Sequence, residues 1–170
     1  YTWGNAKEAN TQARQRLEKA VALDPHYADA YVSLGLTYYR EWVWRLSTGP
    51  QTLERALALA QHSLSLNDSL PGAHSLLSWI YVLKQQYDRA LGEGERAIAL
   101  DPNNADSYAG QTHVLNWMGR PEEALRMMEQ AIRLNPHSPP LHLFNLGWAY
   151  LALGRYAEAI ATYKRFLSQS

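Results

Sequence analysis

The 170-residue sequence predicts an all-α fold, a solenoid of stacked antiparallel helix pairs with about nine helices. Three observations carry that prediction. The first is a fixed period: Leu66, Leu100 and Leu134 are 34 residues apart, as are Ala56, Ala90 and Ala124, and as are Pro102 and Pro136. A period of about 20–50 residues is the signature of a repeat array. The second is the spacing of apolar residues, which recur with the period of a helix. No stretch alternates for long with the period of two that a half-buried strand needs. The third is punctuation. The clearest case is residues 87–105, an amphipathic helix from Tyr87 closed by an Asp101-Pro102-Asn103-Asn104 turn.

The elements follow in order. Residues 5–23 read as a helix, with Ala9, Ala13, Leu17, Ala20 and Val21 on one stripe. Asp24-Pro25 stops it, because proline disfavours a helical residue before it. This helix reads as the second of a pair whose first member is missing. Residues 27–46 read as the next helix, with Gly35 inside it. An interior glycine costs about 1 kcal/mol against Ala, and close approach of a neighbouring helix is what offsets it. Ser47-Thr48-Gly49-Pro50 breaks the chain, and a helix follows from about Thr52 to Leu66. Pro25 to Pro102 spans 77 residues, nine more than two periods, and the excess falls between Tyr39 and Leu53. The stretch Arg40–Pro50 therefore carries an insertion containing Trp42 and Trp44, which either covers the neighbouring surface or forms its lip. Helices at 71–84 and 87–99 make the next pair, and those at 105–118 and 121–133 the one after, with Pro121 in the first turn where it is tolerated. Asn135-Pro-His-Ser-Pro-Pro140 adds one residue to the period, and the last pair is 140–153 and 156–168. The whole is one domain over 1–170: a half-repeat at 5–26, then repeats at 27–70, 71–104, 105–139 and 140–168.

The unit is clearest in Asn145-Leu146-Gly147-Trp148-Ala149-Tyr150, followed by Gly154, Tyr156, Ala159 and Tyr163. It closely resembles the tetratricopeptide repeat, a 34-residue helix–turn–helix with a Leu-Gly-x-x-Tyr core, a later Ala, an aromatic and a closing Pro. Leu34-Gly35 with Tyr38 repeats the core. Tyr87 with Ala90 and Pro102, and Ala124 with Pro136, repeat the second half. Leu77-Ser78 and Gln111-Thr112 depart from Leu-Gly, and Met128 replaces the aromatic. More loosely, the wording is similar to repeat arrays attached to bacterial nucleotide cyclases and transcriptional regulators. That resemblance implies an accessory interaction module of a signalling protein, and no cyclase residues lie in this chain.

What the family resemblance implies is a right-handed superhelix whose first helices line a concave groove. Tyr31, Leu34, Tyr38, Leu77, Tyr81, Ala90, Ala97, Leu115, Ala124, Ala131, Leu146, Tyr150 and Ala159 then belong to the core. The remaining face of the first helices is the candidate partner-binding groove: Val32, Leu36, Tyr39, Arg40, Leu76, Trp79, Leu83, His113, Asn116, Trp117, Phe144, Asn145 and Trp148, with Val82 and Leu151 beside them. A solvated face would be rich in Lys and Glu. This one is apolar and aromatic, and exposed apolar patches mark binding sites. The rival explanation is that a tightly wound array or the inserted segment covers this face internally. One subclass of the family clamps C-terminal carboxylates with Lys and Asn. Here the face offers Arg40, Asn116 and Asn145 but no Lys, so an apolar extended or helical peptide is the better fit.

Composition narrows the remaining classes. Sixteen basic residues balance 16 acidic ones, which argues against a phosphate-backbone reader. It also argues against the pentatricopeptide repeat, an RNA-binding rival of similar period. There is no cysteine, hence no disulfide, thiolate metal site or Cys nucleophile. The six histidines lack His-x-x-x-His spacing, so no metal is expected. Gly92-Glu-Gly94 lies within a helix and is not a nucleotide loop. Glu122-Glu123 suits a helix start. No catalytic residue, cofactor or membrane partner is expected, and the compartment that fits is the cytoplasm. Tyr1-Thr2-Trp3-Gly4 is neither a start nor a signal peptide, so the chain reads as part of a longer protein. The alternative function is structural self-association through terminal helices that end uncapped, at Tyr163-Lys-Arg-Phe166-Leu167.

Overall fold

The computed structural model describes residues 3–46, 49–137 and 139–169, with only the backbone of residues 3–5. Ser47, Thr48 and Ser138, within two of the chain breaks read above, and Tyr1, Thr2 and Ser170 lie outside the described residues. Among the described residues there are nine α-helices and no strand: α1 (Trp3–Leu23), α2 (Ala28–Val43), α3 (Pro50–Leu66), α4 (Pro71–Leu83), α5 (Tyr87–Leu100), α6 (Ala105–Trp117), α7 (Pro121–Leu134), α8 (Pro140–Ala152) and α9 (Tyr156–Gln169).

Each helix starts and stops for local reasons. Pro opens α3, α4, α7 and α8, where its missing N–H costs nothing. Asn104 caps α6, its side chain accepting from the backbone N–H of Asp106 and Ser107. Between pairs, a side-chain carbonyl accepts from the N–H two residues on, at Asp24–His26, Asn67–Ser69, Asp101–Asn103 and Asn135–His137. Within pairs, the first helix ends on a left-handed residue: Arg45, Gln85, Gly119 or Gly154. The N–H of the residue after it reaches back to Glu41, Tyr81, Leu115 or Tyr150, which satisfies a last-turn carbonyl each time.

The nine surplus residues are not confined to a loop. Helix α2 has 16 residues where α4, α6 and α8 have 13, and α3 has 17 where α5, α7 and α9 have 14. Each of the two helices therefore takes three, and the turn between them takes the last three. The predicted helix end at 46 is corrected to Val43, because Arg45 adopts φ 53° and turns the chain. Trp42 packs against the first core cluster, beside Tyr38 and Tyr39.

Helices α2–α3, α4–α5, α6–α7 and α8–α9 pack as antiparallel pairs, and α1 packs on α2. The successive first helices α2, α4, α6 and α8 touch one another, whereas among the described residues the successive second helices do not. An array whose inner members touch and whose outer members are spread is curved, with the first helices on the inside. The core runs between the layers. Ala56, Ala60, Ala73, Ala90, Ala97, Val114, Ala124, Met128, Ala131 and Ala149 are fully enclosed. Close approach explains Gly35: a Cβ there would meet Leu76 Cδ2 at 2.9 Å and the Ala56 carbonyl at 3.3 Å. At the equivalent place one repeat on, Ser78 stands instead, and its hydroxyl donates to the Ala90 carbonyl at 2.7 Å.

Candidate functional site

The inner face is built by side chains one turn apart on α2, α4, α6 and α8. On α2, Val32 and Leu36 are half-buried against the first core cluster, Tyr39 is half-buried, and Arg40 is exposed. Tyr39 sits 5.8 Å, centroid to centroid, from Trp79 of α4. Burial pushes its phenol up to about 12. Trp79 in turn lies across Gly110 of α6, where an added Cβ would come within 2.8 Å of the indole nitrogen. This is a first aromatic group, two rings of which Trp79 rests on a glycine.

A second group lies at the α6–α8 junction. Trp117 and Trp148 meet edge to face at 5.3 Å, and the His113 ring stands 6.3 Å from each. Phe144 adds a ring 6.5 Å from Trp148 and continues the group to Phe166 of α9 at 5.8 Å and Tyr163 at 6.0 Å. Trp117 keeps 49% of its surface exposed and Phe144 38%, while Trp148 is half-buried beneath them. Leu141 and Leu151 are also exposed. With Phe144 and Trp148 they follow the helical spacing, so one face of α8 is an apolar stripe. Burial lowers the His113 imidazole below its usual range, partly offset by Asn145.

Four residues read from the sequence as groove lining are buried instead. Leu76 is 1% exposed and fills the space over Gly35. Val82 is buried, whereas Leu83 is half-buried against the same cluster, as Val32 and Leu36 are. Asn116 and Asn145 are buried as well: the Asn116 amide donates to the Asn145 carbonyl at 3.0 Å and ties α6 to α8. A lone sequence cannot separate the stripe facing solvent from the stripe facing the next helix, since the two are about a third of a turn apart. Leu141, Gly110, Tyr163 and Phe166 were missed. Leu141 was findable, standing three residues before Phe144 on the same stripe.

A separate concavity of about 460 Å³, lined by Gln85, Gln86, Tyr87, Asp88, Arg89 and Met118, lies at the α4–α5 turn away from these rings. Among the described residues no three His, Asp or Glu side chains converge as a metal would need. Nor is any described helix long and apolar enough to cross a membrane.

Comparison with known proteins locates the architecture. Residues 118–170 match a family model described as tetratricopeptide repeat, and residues 5–41 match one described as TPR repeat, together more than half of the chain. A stretch of 87 residues, 51% of the chain, is 33% identical to the mouse (Mus musculus) DnaJ homolog subfamily C member 7, and spans 17% of that protein's length. Among solved structures, TTC0263, a thermophilic TPR protein of Thermus thermophilus, superposes with a TM-score of 0.68 at 22% identity, over 91% of this chain and 74% of that one. YrrB, a TPR protein with an unusual peptide-binding site, superposes with a TM-score of 0.63 at 24% identity, over 93% and 76%.

Proposed function

The chain belongs to the tetratricopeptide-repeat family, and from that premise we propose that it is a non-catalytic interaction module whose inner face holds an apolar, aromatic-rich segment of a protein partner. The repeat division 5–26, 27–70, 71–104, 105–139 and 140–168 belongs to the same reading. One observation carries it: Trp117 and Phe144 stand exposed beside Trp148, and Leu141 and Leu151 stand exposed on the same stripe of α8, where a merely solvated face would carry Lys and Glu. The rings are also held in place, Trp79 by Gly110 and Trp148 by Trp117 and Phe144, so little side-chain entropy is lost on contact. Arg40 is the single charge of the lining and suits an acidic or carbonyl group at one end of the segment. The neutral charge balance favours a protein over a nucleic acid.

The test is a random-peptide selection on the wild-type chain, followed by affinity measurements with the selected peptides. Trp79→Ala and Trp148→Ala should each weaken binding by about 1–4 kcal/mol, as anchor residues do, with the helical circular dichroism unchanged. Unchanged affinity in both variants sinks the groove.

A second reading is self-association through α9, favoured by Tyr156, Ile160 and Leu167, which are exposed at 63%, 55% and 70%. Light scattering across a concentration series separates the two, since a strict monomer excludes self-association of this chain.

A further inference from the structure

Among the described residues three polar contacts tie helix α8 to α6, and two of them are made by histidines. The Asn116 amide donates to the Asn145 carbonyl. His113 Nδ1 stands 3.4 Å from Asn145 Oδ1. His142 Nε2 stands 3.4 Å from Asp106 Oδ1. The surroundings of His142 are those of a neutral ring. Its side chain is 8% exposed, and Nδ1 is buried with no hydrogen-bond partner. Whichever nitrogen of the neutral ring carries the proton, Nδ1 has no partner. A second proton would create a buried N–H with no acceptor, in the first turn of α8 where the helix dipole already opposes positive charge. His113 is enclosed differently. The Trp117 and Trp148 rings flank it edge-on and keep out the water that an imidazolium needs.

We propose that the α6–α8 joint is an acid-labile hinge: proton uptake by His142 and His113 loosens α8 from α6, so that the α8–α9 pair opens while the earlier pairs stay packed. The charged group that acts on His142 across the joint is Asp106, and it opposes the effect weakly because its side chain is 75% exposed and screened. The partner of His113 is the uncharged Asn145, and no further charge from α4, α5, α7 or α9 acts on either ring among the described residues. Burial is the main cause lowering both imidazoles below 6.5. For a base the sign is then fixed. Below pH 6.5 the open form takes up protons that the closed form refuses, so closure weakens as pH falls from 6.5 and levels off below the closed-state values. The hinge works whatever the inner face binds.

The test is amide hydrogen exchange on the whole chain, expressed as protection factors, between about pH 7.5 and pH 5. Protection in α8 and α9 should fall on acidification, by about tenfold for each unit by which a closed-state value lies under the open one. Protection in α2–α5 should hold. His142→Gln should remove part of that slope and His142→Gln with His113→Gln the rest, whatever the variants do to absolute stability. An equal acid effect in all helices, or a slope that survives in the double variant, overturns the proposal. If the double variant does not fold, histidine titration by NMR on the wild type decides: both rings must titrate below 6.5, and either one at or above it refutes the hinge.

Discussion

Adding one methyl group should destabilise this protein at Gly147 and stabilise it at Gly92. Both glycines lie inside helices, so Ala in place of Gly contributes about 1 kcal/mol of helix propensity at either site. The surroundings differ. A Cβ at Gly147 would stand 2.7, 2.8 and 3.0 Å from three atoms of the Tyr163 ring, whereas a Cβ at Gly92 meets nothing within 4 Å. Ordinary carbon–carbon contact begins at about 3.5 Å, so the ring must retreat by roughly 0.7 Å. It cannot pivot freely, because Phe144 packs against it at 6.0 Å and Phe166 packs on Phe144. Overpacking of this kind costs about 1–3 kcal/mol. Gly147→Ala should therefore lose up to about 2 kcal/mol net, and Gly92→Ala should gain up to about 1 kcal/mol. Urea denaturation followed by far-ultraviolet circular dichroism measures both. A double-mutant cycle with Tyr163→Ala locates the cause, since in that background Gly147→Ala should become neutral or stabilising. Equal effects at the two glycines, or no coupling to Tyr163, would refute the close-approach argument.

Two further outcomes are expected. Gln85 is left-handed, with φ 57°, in the turn position that Gly119 and Gly154 fill in the next two repeats, so Gln85→Gly should raise stability by about 0.5–1 kcal/mol and Gly119→Ala should lower it by a similar amount; thermal unfolding checks the opposite signs. Tyr39 has its phenol held up to about 12 by burial, so stability is present in full below pH 10, where the unfolded chain keeps its tyrosines neutral, and declines by roughly 2–3 kcal/mol as pH climbs towards 12. Tyrosinate absorbance should show Tyr39 ionising last of the 11 tyrosines in the folded chain, above Tyr163, which burial also raises, with that last step gone in Tyr39→Phe; a single common transition would contradict the burial.

The fold was legible because its markers are residues that the architecture itself constrains. Ala56, Ala90 and Ala124 are each 0% exposed, and nothing larger fits where second helices meet first ones. Such positions repeat because the contact repeats. The insertion was legible in size but not in form, since lengthening α2 and α3 by one turn each depends on contacts far off in sequence. Glu41 on the added length of α2 pairs with Arg14 of α1, and Glu54 of α3 pairs with Lys84 beyond α4. Which residues of the first helices are exposed was legible only in part. Leu76, Val82, Asn116 and Asn145 sit on the same helices as Trp79 and Trp148, turned toward the neighbouring helix, and residue type alone does not report that rotation. The asparagines misled most. As surface residues they would have been donors for a partner, but buried they hold α6 to α8.

The departures from the family pattern have a physical logic that bears on where function can reside. Facing positions on the two helices of a repeat trade volume. In the last repeat Gly147 leaves room for the Tyr163 ring. In the α4–α5 pair both sides are small: Ser78 stands where Gly147 does, and Gly94 stands where Tyr163 does. The vacancy at Gly94 is filled from the next repeat by Gln111, whose amide donates to the Leu91 carbonyl at 3.3 Å and whose Oε1 lies 1.8 Å from where a Cβ would be. In the repeat at 105–139, Thr112 and Met128 share the space, both fully enclosed. What each junction conserves is its filled volume, not the residue on either side, because close packing penalises voids and overlap alike. A residue of the scaffold is therefore answerable to its partner across the junction. Leu141 and Leu151 are less bound in this way: they are exposed on α8, at 63% and 49%. Large apolar side chains that stay exposed, with Trp117 and Phe144 beside them, are the feature on which the proposal of a protein partner at this face rests.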